Sequence, residues 1–332
     1  MPHRRPLKLC ILSRKRTLYT TRRLVSAARR QGHTAVVADP LACHMGIGPR
    51  FNTIYHRSPR KQLTDVDVVI PRIGASITEY GLAIVNQFDI MGVPLINNSV
   101  PIARSRDKLR CLQLLSRHGV DIPRTVMART PAQIERAVRL VGGCPVVLKL
   151  LQGAQGLGVL LAETPQQVES LLDTFWGMNQ NLLVQEYIRE SSGRDVRALI
   201  VGGQVVAAMR RTALAGEFRS NIHRGGAGSL IDLEPEYERL AVQATAIVGL
   251  QVAGVDLLES SRGPKVIEIN SSPGFEGLEA AGSRDIAGTI VRYAVDYARQ
   301  KMRGRRSMTT VRVRASRVNG RRAAARRARQ LT

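Results

Sequence analysis

Unbroken apolar runs and helix-spaced apolar positions alternate along this chain, and their order predicts its elements. Residues 7–13 (LKLCILS) are a nearly continuous apolar run, 20–31 repeat apolar positions every three or four residues up to Gly32, and 34–38 are β-branched and apolar. That succession predicts strand, helix, strand. Short buried strands are expected at 66–70 and 94–97, with a helix over 77–91 between them that stops at Gly92. The opening segment thus reads as a small parallel α/β unit. A helix over 99–118, closed by Gly119, follows it.

Beyond Pro123 the pattern changes to a strand, a helix over 131–141, a strand at 146–150 and a glycine-rich stretch at 152–158. Strands are expected at 182–188, 196–201 and 205–210, the last two joined by Gly202-Gly203 as a hairpin. A helix over 236–248 leads to strands at 252–258 and 265–269 around a turn at Arg262-Gly263-Pro264, and a last helix spans 285–301. This part reads as antiparallel α+β. The expected domains are 1–98, 99–190 and 191–302, with 303–332 as a basic disordered tail because it has no acid and few large apolar residues.

Charge sharpens this division. The net charge is +24, yet residues 1–38 hold 10 Lys/Arg without an acid and 297–332 hold 13, leaving 27 basic and 26 acidic side chains between them. The basicity belongs to the ends, so a near-neutral body is expected rather than a fold built around a nucleic-acid groove. Four widely spaced cysteines fit reduced thiols in a cytoplasmic protein, and no apolar run approaches the roughly 20 residues of a membrane span.

Candidate chemistry concentrates in Val255-Asp256-Leu257 and in Glu268-Ile269-Asn270-Ser271-Ser272-Pro273-Gly274. Side chains two apart on a strand share a face, so Glu268 and Asn270 project together while Ile269 points to the core. With Asp256 on the neighbouring strand they form a hard-oxygen set suited to magnesium or manganese beside phosphates. A lone E-x-N is more often a solvated strand face; Asp256 and the Ser-Ser-Pro-Gly continuation favour the metal reading. Lys149, leaving an apolar strand into the glycines of 152–158, can place a cation on phosphate oxygens, although no Walker sequence is present. The run 182–188 carries Glu186 and Tyr187 as its polar pair, Asp195 follows as a possible ribose contact, and Arg72, Arg197, Arg210, Arg211 and Arg224 are candidates for holding carboxylates. His223, flanked by Arg224 and glycines, reads as a loop residue; no nucleophile–base pair is evident.

Together Lys149 with its glycines, Q-E-Y-I, G-R-D-V-R, F-R-S-N-I-H-R-G-G, A-G-V-D and E-I-N-S-S-P-G-F-E-G resemble the ATP-grasp superfamily, and more narrowly the RimK family of L-glutamate ligases. The stretches 11–14, 17–19, 69–74 and 103–110 extend the resemblance over roughly residues 7–295; the arginine-rich end departs from it. It implies an ATP-grasp fold preceded by a pre-ATP-grasp parallel α/β domain. It also implies ATP contacts at Lys149, Glu186, Tyr187, Asp195, Arg219, Ser220 and Asn221, with Arg219 acting in catalysis and Lys108 as a further phosphate contact. Metal ligands at Asp256, Glu268 and Asn270 would hold two ions, Mg2+ or Mn2+. The implied activity is addition of L-glutamate to the acidic C-terminus of a small-subunit ribosomal protein by a homotetramer. The basic tail, which is no part of the resemblance, reads from its charge alone either as an rRNA contact or as a solvated extension. Two alternatives stay open: ligation to another carrier protein, to free glutamate or to a small metabolite, and a ribosome- or RNA-binding protein without catalysis.

Overall fold

Strand β1 (Lys8–Leu12) divides its side chains between two cores, and this alternation organises the N-terminal unit. Leu9 and Ile11 pack with helix α1 (Tyr19–Arg30), whereas Cys10 and Leu12 face the core that also holds Ile84, Val85 and Phe88 of α2 (Thr78–Ile90). β1 lies between β2 (Thr34–Ala38) and β6 (Val68–Pro71) in a parallel sheet. Three short antiparallel strands, β3 (Cys43–Gly46), β4 (Thr53–His56) and β5 (Ser58–Gln62), lie between β2 and β6 in sequence and were not expected. Their polar and aromatic residues lack the strict alternation that marks a strand. The computed structural model describes residues 5–63, 65–151, 158–214, 226–282 and 284–304.

Two expectations for this region are corrected. Residues 94–97 form no strand, only a single parallel bridge between Val69 and Leu95. The helix over 99–118 is two helices, α3 (Ser99–Arg106) and α4 (Lys108–Arg117), separated at Asp107. Asp107 adopts φ −88°, ψ 101°, and its carboxylate accepts from the backbone N–H of Arg110, so it caps α4 as short acidic side chains do.

A second, antiparallel sheet follows in the order β7 (Thr125–Met127), β10 (Leu182–Glu186), β8 (Val146–Leu150), β9 (Val159–Ala162). Val146, Leu148, Leu182 and Val184 turn one face onto α5 (Ile134–Leu140) and α6 (Pro165–Gly177). The third sheet has the order β13 (Ala227–Leu230), β12 (Gln204–Thr212), β11 (Arg194–Val201), β14 (Val252–Ser260), β15 (Gly263–Asn270). Gly202 and Gly203 join β11 to β12 with φ +61° and +79°, the left-handed pair that a two-residue hairpin turn requires. One face of this sheet, through Val196, Ala198, Val255 and Leu257, buries α7 (Pro235–Val248). On the other, Leu199, Val201, Ala207 and Met209 are covered by α8 (Glu276–Ala280) and the helix over 286–304, here α9.

Asn97 ties the first unit to the third sheet. It is 1% exposed, donates to the carbonyls of Val252 (2.7 Å) and Ser271 (3.1 Å), and accepts from the N–H groups of Gln251 (2.6 Å) and Val252 (2.9 Å). Arg72 adds a bond from its guanidinium to the Pro273 carbonyl at 2.7 Å. Cys10, Cys43, Cys111 and Cys144 are all free, and burial pushes the Cys43 and Cys111 thiols up to about 12, which makes them inert at neutral pH. Among the described residues no helix is long and apolar enough to cross a membrane.

Asn97→Ala strands buried backbone groups at the start of β14, each at a cost of about 1–3 kcal/mol. Urea unfolding should show a clear loss of stability, while Asn98→Ala, whose side chain makes no capping bond, should stay close to the parent. Equal effects from the two would contradict the role given to Asn97.

Candidate active site

The open half of the third sheet is charged because two strands each carry one extra residue. From the Gly202-Gly203 turn, Val201 pairs with Gln204 and Ile200 with Val205, but Leu199 pairs with Ala207, so Val206 is the extra residue. The shift sets Asp195 opposite Arg211 rather than Arg210. On β15, Leu257 pairs with Val266 and Asp256 with Glu268, leaving Ile267 as the second extra residue. A one-residue slip exchanges the faces of every later side chain in a strand. Glu268, Asn270, Asp256, Arg197, Asp195 and Arg211 thereby share one face. Arg210 lies on the other, paired with Glu259 at 2.7 Å.

The central groups are tightly bound to one another. Arg197 donates from Nε and a terminal nitrogen to the two oxygens of Asp256, each at 2.6 Å. Arg211 grips Asp195 in the same bidentate way, with Nε at 2.6 Å, and reaches Asp256 at 3.1 Å. Asp195, Asp256 and Arg211 are 3–4% exposed. Burial raises the Asp256 carboxyl, but the two guanidinium groups outweigh it and bring it down to about 2. The same carboxylates hold Arg211 above its ordinary range against the opposing effect of burial.

Glu268 is exposed, and among the described residues no hydrogen bond fixes its carboxylate. It faces three cations: the pKa values of Lys149, Lys108 and Arg106 are all lowered by burial and partly restored by Glu268. Lys149 falls to about 8, its neighbours Glu268, Lys108, Asp256 and Asp195 bringing both sheets into one space. Lys108 donates to the Leu150 carbonyl at 2.9 Å, at the end of the strand bearing Lys149. An unbroken helix would set Arg106 and Lys108 about 200° apart; the break at Asp107 lets both face Glu268. Beside Lys149 the same face of the second sheet presents Val147 and the fully buried Leu183.

Glu186 ends β10 and accepts from the Arg124 backbone N–H (3.0 Å) and guanidinium (3.1 Å), which hold its carboxyl below the ordinary range although burial raises it. β10 is an interior strand, so only past Glu186 does the chain leave the sheet; there Tyr187 donates to Ser192 Oγ at 2.7 Å. Arg219, Ser220, Asn221, His223 and Arg224, the glycines of 152–157 and the basic segment 305–332 lie outside the described residues.

As a divalent-metal site the face fits in part. Glu268 and Asn270 offer oxygen donors side by side, whereas both Asp256 oxygens are held by guanidinium groups. Among the described residues no cluster of three His, Cys, Asp or Glu residues could hold an ion. The loop after β15 needs Gly254: a Cβ there would meet Pro273 Cβ at 2.9 Å. Sequence reasoning missed the arginine clamp on Asp256 and the part of Arg106. The aspartate interrupting a basic helical run was the available sign of the latter; Arg197 meets Asp256 through an ordinary cross-strand pair, and Arg211 through a bulge that no residue announces.

Two family models match the chain, a RimK PreATP-grasp domain over residues 7–102 and a RimK-like ATP-grasp domain over 105–294. A probable alpha-L-glutamate ligase of Alkalilimnicola ehrlichii is 53% identical over 302 residues, spanning 90% of this chain and all of that one. The RimK domain protein ATP-grasp from Sphaerobacter thermophilus superposes with a TM-score of 0.66 at 22% identity, over 86% of this chain and 99% of that one. The ATP-grasp ligase PsnB, solved with a phosphomimetic variant of its minimal precursor, Mg and ADP, gives 0.67 at 20% identity, over 88% and 99%. The fold is therefore ATP-grasp, with the parallel sheet of β1, β2 and β6 in its pre-ATP-grasp domain.

Removing one member of a buried ion pair costs about 3–5 kcal/mol, an exposed one under about 1. Arg211→Met should therefore lower the unfolding free energy far more than Arg210→Met; equal losses would contradict the bulged register. Because its folded pKa is depressed, Asp256 contributes stability that is present above about pH 4 and is lost as pH falls toward 2. Asp256→Asn should flatten acid unfolding in that window.

Proposed function

The chain belongs to the RimK family of ATP-grasp ligases, and we propose that it joins the amino group of L-glutamate to the C-terminal carboxylate of a protein, with cleavage of ATP to ADP. The observation that carries this reading is the convergence of Lys149, Lys108 and Arg106 on Glu268, across two sheets, beside the apolar Val147 and Leu183. Such a space suits a nucleotide: an apolar slot for the base and cations for the phosphates. Glu186, Tyr187 and Asp195 are read as its base and ribose side, and Arg219, Ser220 and Asn221 as further contacts from the 215–225 segment.

Glu268 and Asn270 would hold magnesium, with manganese an alternative, and Asp256 would join them when Arg197 turns to an incoming anion; a second ion is part of the proposal. Bound there, the metal would offset phosphate charge. A carboxylate does not react with an amine at neutral pH, so a carboxylate oxygen first takes the γ-phosphoryl group and ADP leaves. The glutamate amine then attacks the acyl carbon, an amide bond forms, phosphate departs, and the amine proton passes to solvent. Lys149, Lys108, Arg106 and Arg219 stabilise the oxygens that gain charge. Arg197 and Arg211, rather than Arg210, are placed to receive an acidic substrate.

The acceptor we propose is the acidic C-terminus of a small-subunit ribosomal protein, in the cytoplasm, with a homotetramer as the working form and the arginine-rich end on rRNA. Acceptor-dependent addition of glutamate residue mass, seen by intact mass spectrometry with parallel ADP release, is the expected result, and Glu268→Ala should abolish both. ADP release with glutamate alone would point to free polyglutamate synthesis; no turnover with any amino acid would refute the ligase reading. Because the Lys149 ammonium is lost as pH rises through about 8, ATP affinity should weaken above that pH in the parent and stay level in Lys149→Arg. A flat parent profile would contradict its phosphate role.

A further inference from the structure

Helix α1 carries a cluster of arginines that the site described above does not use. Its inner face, Leu24, Ala27 and Ala28, is fully buried, which fixes its outer stripe. Arg22, Ser26 and Arg29 follow one another there at helical spacing and, with Val25, Arg30 and Arg16 from the preceding turn, line a pocket of about 310 Å3. Arg16, Arg22 and Arg29 are exposed, and among the described residues they make no hydrogen bond or ion pair. Their neighbours differ: Arg23 is committed to Glu279 at 2.7 Å, and Arg30 to Ser26 at 3.2 Å and Asp285 at 3.3 Å. Glu279 of α8 and Asp285, just before α9, are thus paired with Arg23 and Arg30, whereas among the described residues no acid pairs with Arg16, Arg22 or Arg29. The helix has no acid in its first turn, and its last turn holds Arg29 and Arg30.

The fold enlarges this field with the other basic end of the chain. His33, just past α1, is half-buried, and its pKa is lowered by burial and by Arg299 of α9, which places Arg299 beside it. Exposed Lys301 and Arg303 follow on α9, and ten further arginines lie in sequence beyond residue 304 without one acid. The described parts of two acid-free segments, separated by residues 39–296 in sequence, therefore meet along one packed pair of helices. The row of described cations, Arg16, Arg22, Arg29, Arg299, Lys301 and Arg303, matches a polymer with one negative charge per unit.

We propose that the Arg16–Arg22–Arg29 pocket on α1 is a docking site for the phosphodiester backbone of RNA. Planar guanidinium forks suit phosphate oxygens. The choice of RNA rests on the ribosomal reading above; the pocket itself does not. Because none of these residues interacts with Glu268 or Lys149, RNA binding and ligation should separate.

The test uses the full chain and a fluorescein-labelled single-stranded RNA, followed by anisotropy at several salt concentrations. Arg16→Ala/Arg22→Ala/Arg29→Ala should bind at least tenfold more weakly, and its log–log salt slope should be shallower by about 2, as expected for three lost phosphate contacts. Arg104→Ala/Arg117→Ala/Arg136→Ala, an equal charge change elsewhere, should shift affinity less than twofold. Glutamate addition to a free acceptor peptide should be unchanged in the pocket variant, which also shows that it folds. Equal RNA affinity and slope for the two triple variants would overturn the proposal. So would loss of binding to an oligoglutamate peptide with RNA binding intact, which would assign the pocket to an acidic polypeptide. Failure of ligation in the parent would bear on the function above, not on this site.

Discussion

A strand has a side-chain period of two, and the chemistry of this protein depends on where that period is broken. Were Val206 paired in regular register, Asp195 would face Arg210, and Arg211 would be driven toward the core under α7. Were Ile267 paired in the same way, Asp256 would lie opposite that isoleucine rather than Glu268. Two insertions of one residue convert the end of an ordinary half-buried sheet into a face bearing three carboxylates, two arginines and an amide. Arg284 supports the first of them by donating to the Val206 carbonyl at 2.8 Å.

The same face changes character along its length. Toward the Gly202-Gly203 turn it is apolar and covered by α8 and α9; toward Arg197 and Asp195 it is charged. The buried charges persist there because each has a bidentate partner, and that pairing holds Arg197 and Arg211 in position. Glu268 is left outside the pairing, facing Lys149, Lys108 and Arg106, whose ammonium and guanidinium groups are partly desolvated. Desolvated cations opposite an open carboxylate form a site with a strong field and few internal contacts to break, which favours a charged ligand over water.

Much of this was legible in the residues. Apolar runs and turn glycines gave β1, β2, β8, the β11–β12 hairpin and the β14–β15 pair close to their observed bounds, and alternation put Glu268 with Asn270. The antiparallel strands β3 to β5 escaped because their sequence is too polar to alternate, and the α3–α4 break escaped because a helical period continues through Asp107. Cross-strand partners were the hardest to read. Which of Arg210 and Arg211 faces the site is decided by a bulge three pairs away, and a linear pattern does not encode it.

Oxygen transfer tests the central claim most directly, namely that the space between the two sheets activates a carboxylate by phosphorylation. The acceptor peptide is labelled with 18O in its C-terminal carboxylate, turned over with ATP, magnesium and L-glutamate, and the released phosphate is analysed by mass spectrometry. The account predicts one 18O in each phosphate formed, and none without the acceptor. Unlabelled phosphate, or label carried into AMP, would contradict it.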